Sequence, residues 1–192
     1  MALLLVMGPT GVGKTTVIRE LEALDSRFAY VRPWTTRPLR AGEVDKLSVT
    51  QEEMDRADAR GEFLVINEFY GTRYATPLAP ITNSLAAGGF PLIDWPVARL
   101  AAMEARFSGQ LFRCYLRPPT LAVLEARLRL RDGSNERLAE AELEWTKMAS
   151  GEFDHCVDLM ATADDGAAAA VARRIHSAFL SMNGEVVNKH EQ

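Results

Sequence analysis

The sequence predicts an α/β fold: a parallel five-stranded core sheet flanked by helices, with a small inserted lobe and a short lid. Three observations carry that expectation. Short apolar runs alternate with amphipathic stretches, the pattern of parallel strands joined by crossover helices. The first apolar run leads directly into a glycine-rich loop, and that loop opens a helix-like stretch. Hydrophobic residues make up 47% of the 192 residues and charged residues 25%, which is enough apolar material for one core.

In chain order, strands are expected at Leu3–Met7, Phe28–Val31, Phe63–Phe69, Phe90–Asp94, Leu111–Leu116 and Cys156–Met160. Helices are expected at Thr15–Leu24, Glu52–Ala59, Ile81–Ala87, Val97–Arg106, Leu121–Arg131, Glu136–Ala149 and Ala167–Met182. Thr120, after Pro118-Pro119, suits an N-cap, and Gly133 suits a break after the charged helix. Trp34 to Pro77 reads differently. It is polar, rich in Arg, Glu and Thr, and has a single strong apolar strand, Phe63–Phe69. One domain follows, with its core at residues 1–32 and 78–192, an inserted lobe at about 33–77 and a lid at about 127–140.

Residues 8–15 read Gly8-Pro9-Thr10-Gly11-Val12-Gly13-Lys14-Thr15, a complete G-x-x-x-x-G-K-[ST] loop. Strand, glycine loop, then helix is the context in which this motif binds a triphosphate. Glycines let backbone N–H groups curl around phosphates, and the helix N-terminus adds partial positive charge. The expected triphosphate contacts are Gly8, Pro9, Thr10, Gly11, Val12, Gly13, Lys14, Thr15 and Thr16. Lys14 reaches the β- and γ-phosphates, and Thr15 offers its hydroxyl to Mg²⁺.

Composition narrows the partners. A formal charge of −4 argues against a general nucleic-acid surface. The N-terminal apolar stretch is far shorter than the roughly 20 residues a membrane helix needs. No basic n-region precedes it, so it does not read as a signal peptide, and the polar tail from Gly184 to Gln192 is expected to fray. Cys114 and Cys156 sit in apolar, strand-like runs and suit buried free thiols in a reducing cytoplasm. No nucleic acid and no membrane partner is expected, and a monomer or homodimer is.

Arg127, Arg129, Arg131 and Arg137 cluster around the turn Asp132-Gly133-Ser134-Asn135. Such a run is either a solvated helix face or a lid that neutralises charge on a moving phosphoryl group. Arg131 and Arg137 flank the turn and are the stronger lid candidates.

Further motifs suggest a family. Thr35-Thr36-Arg37-Pro38-Leu39-Arg40-Ala41-Gly42-Glu43 resembles the T-T-R-x-x-R-x-G-E segment of guanylate kinases. Gly61-Glu62-Phe63-Leu64 and Gly71-Thr72-Arg73-Tyr74-Ala75-Thr76 resemble that family's G-E-F and G-x-x-Y-G-[ST] segments. Leu92-Ile93-Asp94-Trp95 sits where the family has D-I-D-x, and Pro118-Pro119 with Leu124 to Leu128 is similar to its P-P-S…L-x-x-R-L. Arg137-Leu138, Glu144 and Phe153-Asp154 continue in register, so the resemblance spans residues 3 to 160.

The resemblance implies a P-loop kinase fold that moves the γ-phosphoryl of ATP, with Mg²⁺, onto a monophosphate acceptor, GMP or dGMP by default. It makes Arg37, Arg40 and Tyr74 acceptor-phosphate ligands, a role suited to two guanidinium forks and a phenol. Asp94 would place Mg²⁺ or order the acceptor. Lys14, Arg131 and Arg137 would stabilise the transferring group, with no covalent nucleophile.

Departures concentrate where the family reads guanine. Pro33 replaces a serine, and Val65-Ile66 replaces the E-W pair. The carboxylate lost at Val65 matches guanine's N–H donors, and leaving such donors unpaired in a dry pocket costs about 1–3 kcal/mol. Asn67 lies two residues on, on the same strand face, and with Thr76 offers other hydrogen bonds. A register shift would bring in Glu68 instead. Lys46 stands nearest the missing phosphate-binding tyrosine in a segment about two residues short, Leu92 replaces the first acid of D-I-D, and the lid turn is about five residues short. Other readings are the same chemistry on a non-guanine nucleotide or a phosphorylated sugar such as ribose 1,5-bisphosphate, or a non-catalytic guanylate-kinase-like binding module. The intact Gly13-Lys14-Thr15 argues against the module. The absence of an N-K-x-D segment argues against a GTPase switch.

Overall fold

A computed structural model describes residues 3–69, 71–131, 135–163 and 167–184. The strands are β1 (Leu3–Met7), β2 (Phe28–Tyr30), β3 (Trp34–Thr35), β4 (Leu47–Ser48), β5 (Phe63–Phe69), β6 (Thr72–Pro77), β7 (Phe90–Asp94), β8 (Leu111–Arg117) and β9 (Leu159–Thr162). The α-helices are α1 (Lys14–Leu24), α2 (Gln51–Ala59), α3 (Leu78–Ala86), α4 (Leu100–Phe107), α5 (Leu121–Arg131), α6 (Asn135–Ala149) and α7 (Ala168–Met182).

Five strands form one parallel sheet in the order β2-β7-β1-β8-β9. β1 lies at its centre, and all five of its residues are buried. Its side chains alternate between two cores. Leu4 and Val6 pack with Val17, Ile18 and Leu21 of α1 and with Ile175 and Phe179 of α7. Leu3, Leu5 and Met7 pack on the other face with Ile81 of α3 and Met103 of α4. Both faces are covered, so the strand is apolar without interruption rather than alternating. Phe179 closes the first core against Phe28, Phe90 and Phe112, with ring centroids 4.9–5.6 Å apart.

The region from Trp34 to Pro77 holds a four-stranded sheet in the order β4-β3-β6-β5. The expectation of a single strand there is corrected. β5 pairs antiparallel with β6, β6 with β3, and β3 runs parallel to β4. β3 and β4 have two residues each, too few to show a period, and β6 carries Thr72, Arg73 and Thr76 where an apolar run was sought. Backbone pairing, not side-chain pattern, recruits them: β6 onto β5, then β3 onto β6 and β4 onto β3.

The last core strand is also moved. Cys156 lies in a short 3₁₀ turn at Asp154–Cys156, and β9 starts at Leu159. Its backbone N–H and its thiol both bond the Phe153 carbonyl, at 3.0 and 3.2 Å, which closes the turn. Asp158 is taken up by Arg113, and the parallel ladder to β8 begins after it, at the Cys114–Leu159 pair. Cys156 is half-buried, whereas Cys114 is fully buried and its thiol is pushed up to about 12 by burial. The expected helix at Val97–Arg106 is a 3₁₀ turn, Val97–Arg99, followed by α4. Gly133 and most of the lid turn, and the tail beyond Gly184, lie outside the described residues.

Candidate active site

The glycine loop leaves the C-terminal end of β1 between its neighbours β7 and β8. Ligands of open parallel sheets gather at that edge. Gly8 has φ 133°, and a Cβ there would run into the Leu116 carbonyl oxygen of β8. Gly13, at φ 110°, caps α1. Gly13 offers no side-chain cap to that helix and its first turn carries no acid of its own, so no residue of the helix competes for its first N–H groups.

Lys14 folds back over its own loop. Its ammonium donates to the carbonyls of Gly8 at 2.7 Å and Pro9 at 3.1 Å, and lies 3.8 Å from Asp94 Oδ1 at the end of β7. A cavity of about 620 Å³ opens over this loop, lined by residues 10–17 together with Asp45 and Arg127. Gly8 faces a second cavity, and Pro9 contributes its carbonyl but lines neither. Arg127 donates to the carbonyls of Val12 and Ala163, at 3.0 and 3.2 Å, which ties α5 to the loop.

The second cavity, about 250 Å³, lies between the two sheets. Arg37, Arg40, Tyr74, Asn67, Thr76 and Asp94 all line it, as does Arg137 from α6. Arg131 ends α5, and the placement of its side chain lies outside the described residues. Five residues line both cavities: Thr10, Lys14, Arg40, Lys46 and Asp94. Four of these are charged, and they form the junction of the two spaces.

Several residues around this junction were given no role in the sequence reading. Glu43 receives two bonds from the Arg37 guanidinium, at 2.6 and 2.7 Å, and a third from the Arg40 backbone N–H at 3.0 Å. The Arg37 guanidinium holds its carboxyl down at about 2. Arg37 Nε donates to the Tyr74 hydroxyl at 3.1 Å, so Glu43 and Tyr74 fix the plane of that guanidinium. The G-E of the T-T-R motif was the available signal. Asp45 is buried, and Thr15 donates to its Oδ2 at 3.3 Å while Lys46 donates to the same oxygen at 3.0 Å. Nothing in the local pattern announced a contact spanning thirty residues. Glu144 of α6 lines the second cavity and accepts from the Tyr115 hydroxyl at 2.9 Å. Burial raises its pKa against the opposing pull of Lys14.

On β5, Asn67 faces the cavity and is 6% exposed, while Glu68 is exposed on the other face. The register pairs Val65 with Thr76 and Asn67 with Tyr74, and the shifted register that would turn Glu68 inward does not occur. Asn67 Oδ1 and Trp95 Nε1 are buried without a hydrogen-bond partner.

The family profile for guanylate kinase matches residues 1–175. The chain belongs to the guanylate kinase family. It is 35% identical over 158 residues to the guanylate kinase of Sphingopyxis alaskensis, covering 80% of this chain and 70% of that one. It is 37% identical over 161 residues to the guanylate kinase of Thermosynechococcus vestitus, covering 79% and 82%. The crystal structure of guanylate kinase from Anaplasma phagocytophilum superposes with a TM-score of 0.72 at 20% identity, over 97% of this chain and 87% of that one, which shows the shared fold. Shikimate kinase from Acinetobacter baumannii superposes at 0.53 and 17% identity, over 100% and 96% of the two chains, a looser likeness in fold. As a member of this family the protein is a phosphotransferase acting on a phosphate group, with a P-loop α/β core. No described helix is long and apolar enough to cross a membrane.

Proposed function

We propose that the protein transfers the γ-phosphoryl group of ATP to the phosphate of a nucleoside monophosphate, GMP or dGMP, yielding ADP and a nucleoside diphosphate. The observation that carries this reading is the junction where Thr10, Lys14, Arg40, Lys46 and Asp94 line both cavities. ATP lies over the glycine loop and the monophosphate lies between the sheets. An acceptor phosphate oxygen attacks the γ-phosphorus, that bond forms, and the bond from the γ-phosphorus to the bridging oxygen breaks, leaving its electrons on ADP. Such transfer needs positioning and charge neutralisation, and every group at the junction supplies one or the other.

Lys14 leaves the carbonyls of Gly8 and Pro9 for the β- and γ-phosphates. Arg37, held flat by Glu43 and Tyr74, joins Arg40 to grip the acceptor phosphate, with Lys46 as a further cation. Arg137, with Arg131 across the turn from it, belongs to a lid formed by the ends of α5 and α6. The sheet at residues 34–77 is then the acceptor lobe. Thr15 and Asp94 fit a divalent cation by donor type, both being hard oxygen ligands at the loop. Mg²⁺ at that place would draw charge from the β- and γ-phosphate oxygens.

The base end of the pocket is neutral where the family places a carboxylate. On β5 and β6, Asn67 and Thr76 are the groups available to read the acceptor, and Asn67 Oδ1 has no partner of its own. That wall supports a second reading, the same chemistry on an acceptor other than a guanine nucleotide. Both readings are tested by ADP release with ATP and Mg²⁺ against GMP, dGMP, AMP, CMP, UMP and ribose 1,5-bisphosphate. Turnover with GMP and dGMP is expected, and Lys14→Ala lowers it by at least about 100-fold with an unchanged melting temperature. Turnover confined to another member of the panel selects the second reading, and full activity in Lys14→Ala refutes the mechanism.

A further inference from the structure

Asp45 lies on the loop before β4, on the polypeptide of the acceptor lobe, yet its carboxylate reaches the first turn of α1. It is 9% exposed and lines the cavity over the glycine loop. Thr15 Oγ1 and Asp45 Oδ2 are 3.3 Å apart. Magnesium holds oxygen ligands at about 2.0–2.1 Å in a near-regular octahedron, which places neighbouring ligand oxygens about 3 Å from each other. The two oxygens are therefore already spaced as adjacent ligands of one ion. A burial this deep disfavours an idle carboxylate, because its charge requires a cation. Here Lys46 serves, at 3.0 Å from the same oxygen. Lys46 also lines the acceptor cavity, so its ammonium can turn to a phosphate and release Asp45.

We propose that Asp45 is a ligand of the divalent cation that accompanies the donor nucleotide, sharing it with Thr15. This rests on the donor-site reading above. Its consequence is that the acceptor lobe carries part of the donor's metal site. Binding of the metal–nucleotide and the position of the lobe are then linked, each favouring the other by the same factor.

The test uses Mn²⁺ as the cation and ADP as the nucleotide, with free Mn²⁺ followed by electron paramagnetic resonance. Even outer partners of a bound metal are worth about tenfold in affinity. Asp45→Asn, which keeps the shape, is therefore expected to weaken Mn²⁺ binding to the protein–ADP complex by about tenfold or more, and Asp45→Ala by more. ADP affinity measured without metal stays the same or rises, since a negative charge beside the phosphates is gone. Thermal melts of both variants establish that they fold. Unchanged Mn²⁺ affinity in a folded Asp45→Asn overturns the proposal, as does an equal loss of ADP affinity with and without Mn²⁺, which marks a purely structural contact. Failure of the unmodified protein to bind ADP overturns the donor-site reading itself, and this proposal with it.

Discussion

Glu43 and Glu144 are shifted in opposite directions, and each shift has a consequence for pH. Glu43 falls from 4.5 to about 2 because Arg37 favours its charged form. A lowered folded value stabilises the protein above the unfolded value, and the gain fades as pH drops from about 4.5 toward 2. Glu43→Gln is expected to lower stability at neutral pH by about 1.5–3 kcal/mol, the range for a hydrogen bond to a charged group. Urea titration should show the difference shrinking across that window. The same variant lets Arg37 turn, so the acceptor KM rises. An unchanged KM would show that Glu43 has no part in aiming Arg37. Glu144 rises above 4.5 because burial disfavours its charge. A raised folded value gives stability that is complete below 4.5 and is lost as pH climbs through the folded value. Glu144→Gln keeps an acceptor for Tyr115 and removes the charge, so its melting temperature at pH 7 should exceed that of the unmodified protein. The gain should vanish below pH 4.5. A lower melting temperature at pH 7 would mean that Lys14 outweighs burial there.

At the scale of elements, the glycine loop is the clearest case of sequence dictating geometry. Gly8→Ala sets a methyl group against the Leu116 carbonyl at a positive φ, and β1 and β8 cannot separate without breaking their ladder. A loss of more than about 2 kcal/mol in chemical denaturation is expected. Wild-type stability in that variant would show that the loop is not held as described. α2 offers a milder probe. Thr50 and Glu53 form a reciprocal capping box, with Thr50 Oγ1 accepting from the Glu53 N–H at 3.1 Å. Thr50→Ala should cost about 1 kcal/mol. The glycine loop was legible because its motif is contiguous, whereas the capping box, just as local, was not picked out and the helix was expected to start at Glu52. β1, β5 and β7 were placed to the residue by their apolar runs, and α5 by its bounding prolines and charges. β3, β4 and β6 were not, because their partners lie far along the chain and their side chains are mixed. The same reason hid Asp45. Its burial comes from a contact with α1 that no window of sequence contains, whereas Arg37, Arg40 and Tyr74 stood out because their motif is contiguous or nearly so.

Across the whole molecule, the proposed transfer gives each of the two sheets one half of a single phosphate path. The parallel sheet presents the loop and Asp94 from the ends of β1 and β7, and the second sheet presents Tyr74, Thr76 and Asn67. Arg40 and Lys46 come from the segment between β3 and β4, and they stand at the joint. The two apolar clusters lie on the faces of the parallel sheet, and Leu64 and Val65 of β5 pack against one of them, which ties the second sheet to the first. The most direct test of a shared path is calorimetric titration with a compound that joins adenosine and guanosine through a chain of five phosphates, compared with ATP and GMP alone. One continuous path predicts affinity at least about 100-fold tighter than the better single ligand, because the second half binds at the high effective concentration that a short linker imposes. That gain should disappear in Arg40→Ala. An affinity no better than that of ATP would mean that the cavities do not meet, and would contradict transfer between them.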